Sequence, residues 1–227
     1  DITFDVSPGE TVGIIGGTGS GKSSLVNMIP RFYDASQGSV CIDGVDVKDY
    51  TLDELRHKVG VVPQKAVLFA GTIADNIRWG KQDATEAEID EALEIAQAKE
   101  FVDGKENGIY FKITQGGKNL SGGQKQRLTI ARAVVRKPEI LILDDSASAL
   151  DFATDAALRK AIREKTKGMT VFLVSQRAST IMNSDKIIVM DDGQIAGIGT
   201  HRQLLSNCEI YREICQSQLS EEELSHE

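Results

Sequence analysis

The sequence predicts an α/β domain built on a mainly parallel β-sheet, and two observations carry that reading. Short apolar runs of strand length alternate with longer segments of helical periodicity. None of those runs approaches the roughly 20 residues of a membrane span, and 227 residues with 41% hydrophobic side chains suffice for one such domain or two small ones. In chain order, Asp1-Ile2-Thr3-Phe4 already reads as a strand, and with no Met ahead of it the chain is expected to be a piece of a longer one. Residues 12–15 form a buried strand, followed by a glycine-rich turn and a helix over about 22–29 that ends near Pro30. Val59–Val62 is the next strand, stopped by Pro63. Thr85-x-x-Glu88 is a capping box, and behind it Ile89, Ala92, Leu93 and Ala96 share one helical face as packing residues. Two more strands follow at 140–143 and 170–174. Residues 187–190, an Asp192-Gly193 turn and residues 195–199 form a hairpin, and Thr200-x-x-Gln203 caps a closing helix. The domain is expected to span 1–219, leaving 220–227, with its four Glu, as a solvated acidic tail.

Charge and cysteine usage narrow the classes. A net charge of −8 argues against a nucleic-acid partner, though not against a local basic cleft for a small anion. Cys41, Cys208 and Cys215 are odd in number and unclustered, which suits a reducing compartment and no zinc site. No signal peptide is visible. His57, His201 and His226 lie among polar neighbours without metal-ligand spacing and are expected at the surface. Trp79 is expected to pack rather than stack on a ligand, and Cys208 and Cys215 to be inert thiols on one helical face.

The chemistry begins at Gly16-Gly17-Thr18-Gly19-Ser20-Gly21-Lys22-Ser23, which fits G-x-x-x-x-G-K-[ST] between a strand and a helix. Glycines let successive backbone N–H groups turn towards phosphate oxygens, and the helix that follows points its positive dipole end at the same anion. Lys22 supplies a mobile cation for the β and γ phosphates, the Ser23 hydroxyl is a magnesium ligand, and Ser24 completes the nucleotide-binding set. A loop of this kind does not choose among kinases, GTPases and ATPases. Residues 140–143 add a buried strand ending in Asp144-Asp145, where carboxylates face the ligand crevice of an open α/β sheet. Asp144 is the magnesium-side carboxylate, directly or through water.

Leu120-Ser121-Gly122-Gly123-Gln124, followed by Lys125-Gln126-Arg127 and an amphipathic helix to Val135, resembles the signature motif of ATP-binding cassette (ABC) proteins. The resemblance covers essentially the whole chain in the family's order. After the phosphate loop comes Gln64 in Val-Pro-Gln, similar to the Q-loop, then the signature, Asp144, and Ser148-Ala149-Leu150-Asp151, similar to the D-loop. Leu68-Phe69-Ala70-Gly71-Thr72-Ile73-Ala74-Asp75-Asn76-Ile77 resembles the exporter branch in particular. The resemblance implies a P-loop NTPase core with a mainly parallel sheet, an antiparallel β subdomain, and a helical signature subdomain over about 72–135. It also implies ATP and Mg2+ as ligands, with Gln64 touching magnesium and water. Ser121, Gly122, Gly123 and Gln124 would clamp the γ-phosphate of ATP held by a partner cassette, so that two domains close head-to-tail over two nucleotides. Gln64 would sense the coupling helices of a transmembrane part, at the cytoplasmic face of the cell membrane.

Four departures from the family pattern shape the expectation. Asp145 stands where the family's general base is usually Glu, and one methylene less withdraws the carboxylate by roughly 1.5 Å. Gln176 stands where the switch histidine is expected, and an amide can bond a γ-phosphate but carries no charge and relays no proton. Together these read as a slow-turnover site on this chain's own phosphate loop, beside an intact signature that serves a non-identical partner. That is the pattern of the degenerate half of a heterodimeric exporter of drugs or lipophilic compounds. The segment Ile113-Thr114-Gln115-Gly116-Gly117 lacks the acidic residue that family exporters carry before the signature. The family's adenine-stacking aromatic lies ahead of the first strand, outside this sequence, and Phe4 is expected in the core. Two other readings remain open on sequence alone. One is a nucleotide-gated dimerisation switch with little hydrolysis, and the other is a soluble, non-transporter ABC ATPase.

Overall fold

The computed structural model describes residues 2–146 and 148–219. The chain runs through β1 (Thr11–Gly16), α1 (Lys22–Asn27), the short strands β2 (Cys41–Ile42) and β3 (Val45–Asp46), α2 (Leu52–Lys58) and β4 (Val59–Val62). It continues through β5 (Gly71–Thr72), α3 (Ile73–Arg78), α4 (Glu86–Ile95), α5 (Lys99–Asp103), β6 (Lys112–Ile113) and α6 (Gly122–Val134). The last third holds β7 (Ile140–Asp144), α7 (Phe152–Lys165), β8 (Thr170–Val174), α8 (Ala178–Ile181), β9 (Lys186–Asp191), β10 (Gln194–Gly199), α9 (His201–Asn207) and α10 (Glu209–Gln218). The described residues form two compact units, one of 2–59, 142–145 and 170–219, the other of 60–141, 146 and 148–169.

In the first unit the strands run β10-β9-β1-β8-β7. Strand β1 pairs parallel with both β8 and β9, and β10 returns antiparallel on β9 through the Asp192-Gly193 turn. Continuous runs such as Val12, Ile14, Ile15, Val171, Leu173 and Val174 are buried, as expected for parallel strands covered on both faces. Gly13 is needed for that covering: a Cβ there would sit 2.7 Å from the Ile181 Cβ on α8, so only glycine lets this helix lie against β1. The expected hairpin and the Thr200–Gln203 capping box are both present. The opening strand is not. Residues 2–7 alternate half-buried and exposed like a strand but carry no ladder. The segment is tied by side chains instead: Lys186 Nζ donates to the Asp5 carbonyl at 2.6 Å, and just beyond it Gly9 N–H donates to Thr170 Oγ1 at 3.0 Å. Phe4 is half-buried rather than fully in the core. Helix α1 is shorter than the expected 22–29, its C-cap falling at Met28, two residues before Pro30.

The second unit is mostly helical around Ile73, Ile77, Ile89, Leu93, Leu128 and Ile130, all fully buried. Its helices are individually well terminated: Thr72, Thr85 and Ser121 each form a capping box with the residue three positions on. Arg132 on α6 binds the Asn76 and Val67 carbonyls at 2.8 and 2.9 Å and the Asn76 side chain at 2.9 Å, fixing the 67–76 segment to the signature helix. Trp79 packs on protein, at an exposed place: the core does not take it. It is 67% exposed and stacks on Phe69, with ring centroids 4.7 Å apart. Among the described residues no helix is long and apolar enough to cross a membrane. The acidic tail 220–227 lies outside the described residues.

Candidate functional site

Three strand ends of the first unit carry the chemistry, and backbone bonds stitch them together. Ser175 N–H donates to the Ile14 carbonyl of β1 at 3.1 Å, and Asp145 N–H donates to the Val174 carbonyl of β8 at 2.8 Å. The phosphate loop therefore leaves β1 beside the residues that follow β7 and β8, at the C-terminal edge where open α/β sheets bind ligands.

The loop's glycines serve different purposes. Gly19 and Gly21 have φ of +83° and +94°, a region that side-chain-bearing residues rarely adopt. At Gly16 a Cβ would come within 2.1 Å of the Met190 carbonyl oxygen. At Gly17 and Gly19 it would meet nothing within 4 Å, so the loop leaves open space on that side. Gly193 N–H donates to the Ser20 carbonyl at 3.2 Å, tying the loop to the β9–β10 turn, and Ser20 itself is buried. The sequence marks Gly193 as a turn residue and Met190 as the end of a strand, and neither pattern signals contact with the phosphate loop.

Lys22 folds back over the loop that precedes it. Its Nζ donates to the carbonyls of Gly16 and Gly17 at 2.8 and 2.7 Å and to Ser20 Oγ at 3.3 Å. Burial pushes its pKa down, while the charges of Asp145 and then Asp144 push it up. Helix α1 opens at Gly21 without a side-chain cap, so its first N–H groups are not met by a local side chain. Ser23 Oγ donates to Asp144 Oδ1 at 2.9 Å. That couple is a hydroxyl and a carboxylate converging on one spot, the hard oxygen donors that a magnesium ion takes. The Asp144 carboxyl sits above the usual carboxylate range, chiefly through burial; the Ser23 bond lowers it and the Asp145 charge raises it further. A cation at this spot would relieve both the desolvation and the repulsion.

Asp145 directly follows Asp144 at the end of β7, and Gln176 follows the end of β8. Asp145 has φ of +45°, a left-handed conformation that aspartate tolerates better than most residues. Gln176 follows the buried Ser175 and is exposed. The first unit thus gathers Gly16, Gly17, Thr18, Gly19, Ser20, Gly21, Lys22, Ser23, Ser24, Asp144, Asp145 and Gln176.

The remaining candidates belong to the second unit. Gln64 is exposed in the bend after β4, and Gln126, buried on α6, donates to the Pro63 carbonyl at 3.4 Å. Sequence reasoning passed over Gln126, although its place two residues beyond the signature was visible. Ser121 accepts from the Gln124 N–H at 3.2 Å, and the Gln124 side chain accepts from the Ser121 N–H at 3.1 Å. Gly123 has a reason inside the chain, since its Cβ would lie 3.2 Å from the Ala149 carbonyl. Gly122 has none, with nothing within 4 Å of its Cβ position. Asp151 N-caps α7 through the Thr154 N–H, which with the Thr154 hydroxyl holds its carboxyl low.

Of the three histidines, His57 is exposed, and His226 lies outside the described residues. His201 contradicts the surface expectation. It is 7% exposed, with Nδ1 2.7 Å from the Tyr211 hydroxyl, because the Thr200 cap starts α9 against α10. Cys208 and Cys215 are buried in the same region, and Cys41 is exposed.

Comparison with known proteins agrees with this geometry. The family model described as "ABC transporter" matches residues 1–148. An ABC transporter ATP-binding protein of Mycobacterium bovis is 47% identical over 221 residues, 96% of this chain and 38% of that protein. A probable multidrug resistance ABC transporter ATP-binding/permease protein of Bacillus subtilis is 46% identical over 213 residues, 94% of this chain and 36% of that one. Among solved structures, a bacterial Atm1-family ABC exporter with ATP bound superposes with a TM-score of 0.92 at 38% identity, covering 96% of this chain and 38% of the exporter. The chain therefore spans well under half the length of the proteins it matches.

Proposed function

The chain belongs to the ABC transporter family as an ATP-binding domain, and on that premise we propose that residues 1–219 are the nucleotide-binding domain of a membrane exporter whose own ATP site turns over slowly. The observation that carries the reading is the pairing of a complete phosphate loop and the Ser23–Asp144 couple at 2.9 Å with Asp145 and Gln176 at the two positions that act on water and the γ-phosphate.

In this reading the backbone N–H groups of 16–24 hold the phosphates. Lys22 gives up its bonds to the Gly16 and Gly17 carbonyls, which costs little because an anion replaces them at the same ammonium. Magnesium would supply positive charge against the charge that develops in phosphoryl transfer. Ser23 and Asp144 would hold it. Asp145 orients water from a carboxylate set back by about 1.5 Å, and a misplacement of about 1 Å costs on the order of a hundredfold in rate. Gln176 offers the γ-phosphate a neutral amide donor and no proton relay.

Ser121, Gly122, Gly123 and Gln124 are proposed to act in trans, on ATP held by a second and non-identical cassette. Gly122 supports this: among the described residues nothing near it requires glycine, whereas close approach of a phosphate from outside does. The transmembrane part, its coupling helices and a place at the cytoplasmic face of the cell membrane follow from the exporter relatives, and drugs or lipophilic compounds are the proposed cargo.

The test restores the two altered positions in the assembled transporter. Asp145→Glu combined with Gln176→His is expected to raise hydrolysis at this chain's own site by about ten- to a hundredfold. An unchanged rate, with ATP verified on this chain, overturns the slow-site reading.

A further inference from the structure

Helix α8, which follows the switch position, has only four residues, and its N-cap Arg177 makes no side-chain bond to the first turn. So short a helix is marginal, and its first N–H groups need partners from elsewhere. One comes from the far end of the chain. Ala178 N–H donates to the Gln218 Oε1 at 2.8 Å, and Nε2 of the same amide donates to the Gln176 carbonyl at 2.8 Å. Gln218 is the last residue of α10.

That helix is well anchored. Tyr211 and Cys215, one turn apart and fully buried, share the face that leads on to Gln218, and the Tyr211 hydroxyl meets His201 of α9. On the other flank, Ser175 N–H is fixed to the Ile14 carbonyl at 3.1 Å and Arg177 N–H to Ser175 Oγ at 3.0 Å. The backbone that carries Gln176 is thus held between the end of β8 and an amide from α10.

We propose that Gln218 is a positioning residue for the switch: its two-bond latch fixes the backbone of Gln176 and so sets how strongly this chain's own site prefers a nucleoside triphosphate over a diphosphate. The proposal rests on the reading of Gln176 as the amide that faces the γ-phosphate. It makes α10 a lever on the site, since whatever displaces the end of that helix withdraws both bonds at once.

The experiment compares photolabelling of this chain by azido-ATP and azido-ADP, with magnesium, in the full-length transporter. Gln218→Met keeps the side chain's length and removes both bonds. It is expected to lower the ATP-over-ADP preference by about five- to tenfold while leaving ADP labelling unchanged. Gln218→Glu keeps an acceptor for Ala178 but presents a second acceptor to the Gln176 carbonyl, and it is expected to lose preference as well. Gln176→Ala reports on the underlying reading and is expected to lower the preference at least as far. Equal losses of ATP and ADP labelling in Gln218→Met would mean a merely structural role and overturn the latch. So would full preference in Gln218→Met or in Gln218→Glu while Gln176→Ala loses it. Full preference in Gln176→Ala removes the switch reading itself, and the latch with it.

Discussion

Two glycine-rich turns in this molecule open helices, both are proposed to meet phosphate, and they are built in opposite ways. At the phosphate loop, α1 starts at Gly21 with no side-chain cap, and the loop's carbonyls are bridged by Lys22. At the signature, α6 starts behind a closed capping box in which Ser121 and Gln124 satisfy each other. The first turn leaves its helix end without a side-chain cap and buries the Lys22 ammonium; the second is closed by its own side chains and exposes Ser121 and Gly122. The difference fits the two roles. A loop that holds its own nucleotide throughout a cycle gains from unspent donors, because phosphate oxygens then meet no competitor. A turn that meets phosphate only when a partner arrives must be stable while it waits.

The sharpest way to break this comparison is to disable each turn and ask whose nucleotide is lost. Lys22→Met removes the loop's one mobile cation, and nucleotide labelling of this chain should fall by on the order of a hundredfold or more. The partner's turnover should persist as long as this signature can still close on it. Loss of labelling at both sites would show that the loops do not act separately.

Next in size is the converse. Ser121→Ala removes a hydroxyl donor and Gly122→Asp places a negative charge where phosphate is expected, so turnover at the partner site should drop by about a hundredfold while ATP still labels this chain. Full activity in Gly122→Asp would mean that the signature does not serve in trans.

How much of this could be read in the sequence varied with the range of the interaction. The phosphate loop, the Asp192-Gly193 turn and the Thr85 and Thr200 capping boxes are local patterns, and each appears where expected. Thr51-x-x-Glu54 and Thr72-x-x-Asp75 gave the same local signal and went unread. The strands of two residues, such as β5 and β6, are too short for any periodicity to register. Contacts between distant residues left no trace: the Gln218 amide reaches back 40 residues to Ala178, and Gln126 reaches 63 residues to Pro63. His201 left its expected surface place for a similar reason. Exposure follows from what an element packs on, and the neighbours in sequence of His201 are polar while its neighbour in space is Tyr211.

The smallest effect sharpens the comparison most, because it has opposite signs at the two turns. Breaking the capping box with Ser121→Ala should destabilise the nucleotide-free protein by about 1 kcal/mol, the usual cost of a lost N-cap. Asp144→Asn should stabilise it. The Asp144 carboxyl is raised above its unfolded value, first by burial and then by Asp145, so the folded state holds its proton to higher pH than the unfolded chain does. Stability therefore falls as pH rises from the unfolded pKa through the folded one, and above the folded pKa the whole penalty is present. Asparagine keeps an oxygen for the Ser23 hydroxyl and carries no such penalty. The melting temperature of Asp144→Asn should exceed that of the unaltered protein at pH 7 without magnesium, with the advantage shrinking as pH drops through the raised pKa. Added MgATP should reverse the order, because only the carboxylate gains from the cation. A lower melting temperature for Asp144→Asn at pH 7 without metal would show that the carboxylate is a structural asset, and the phosphate site would then be as self-sufficient as the signature.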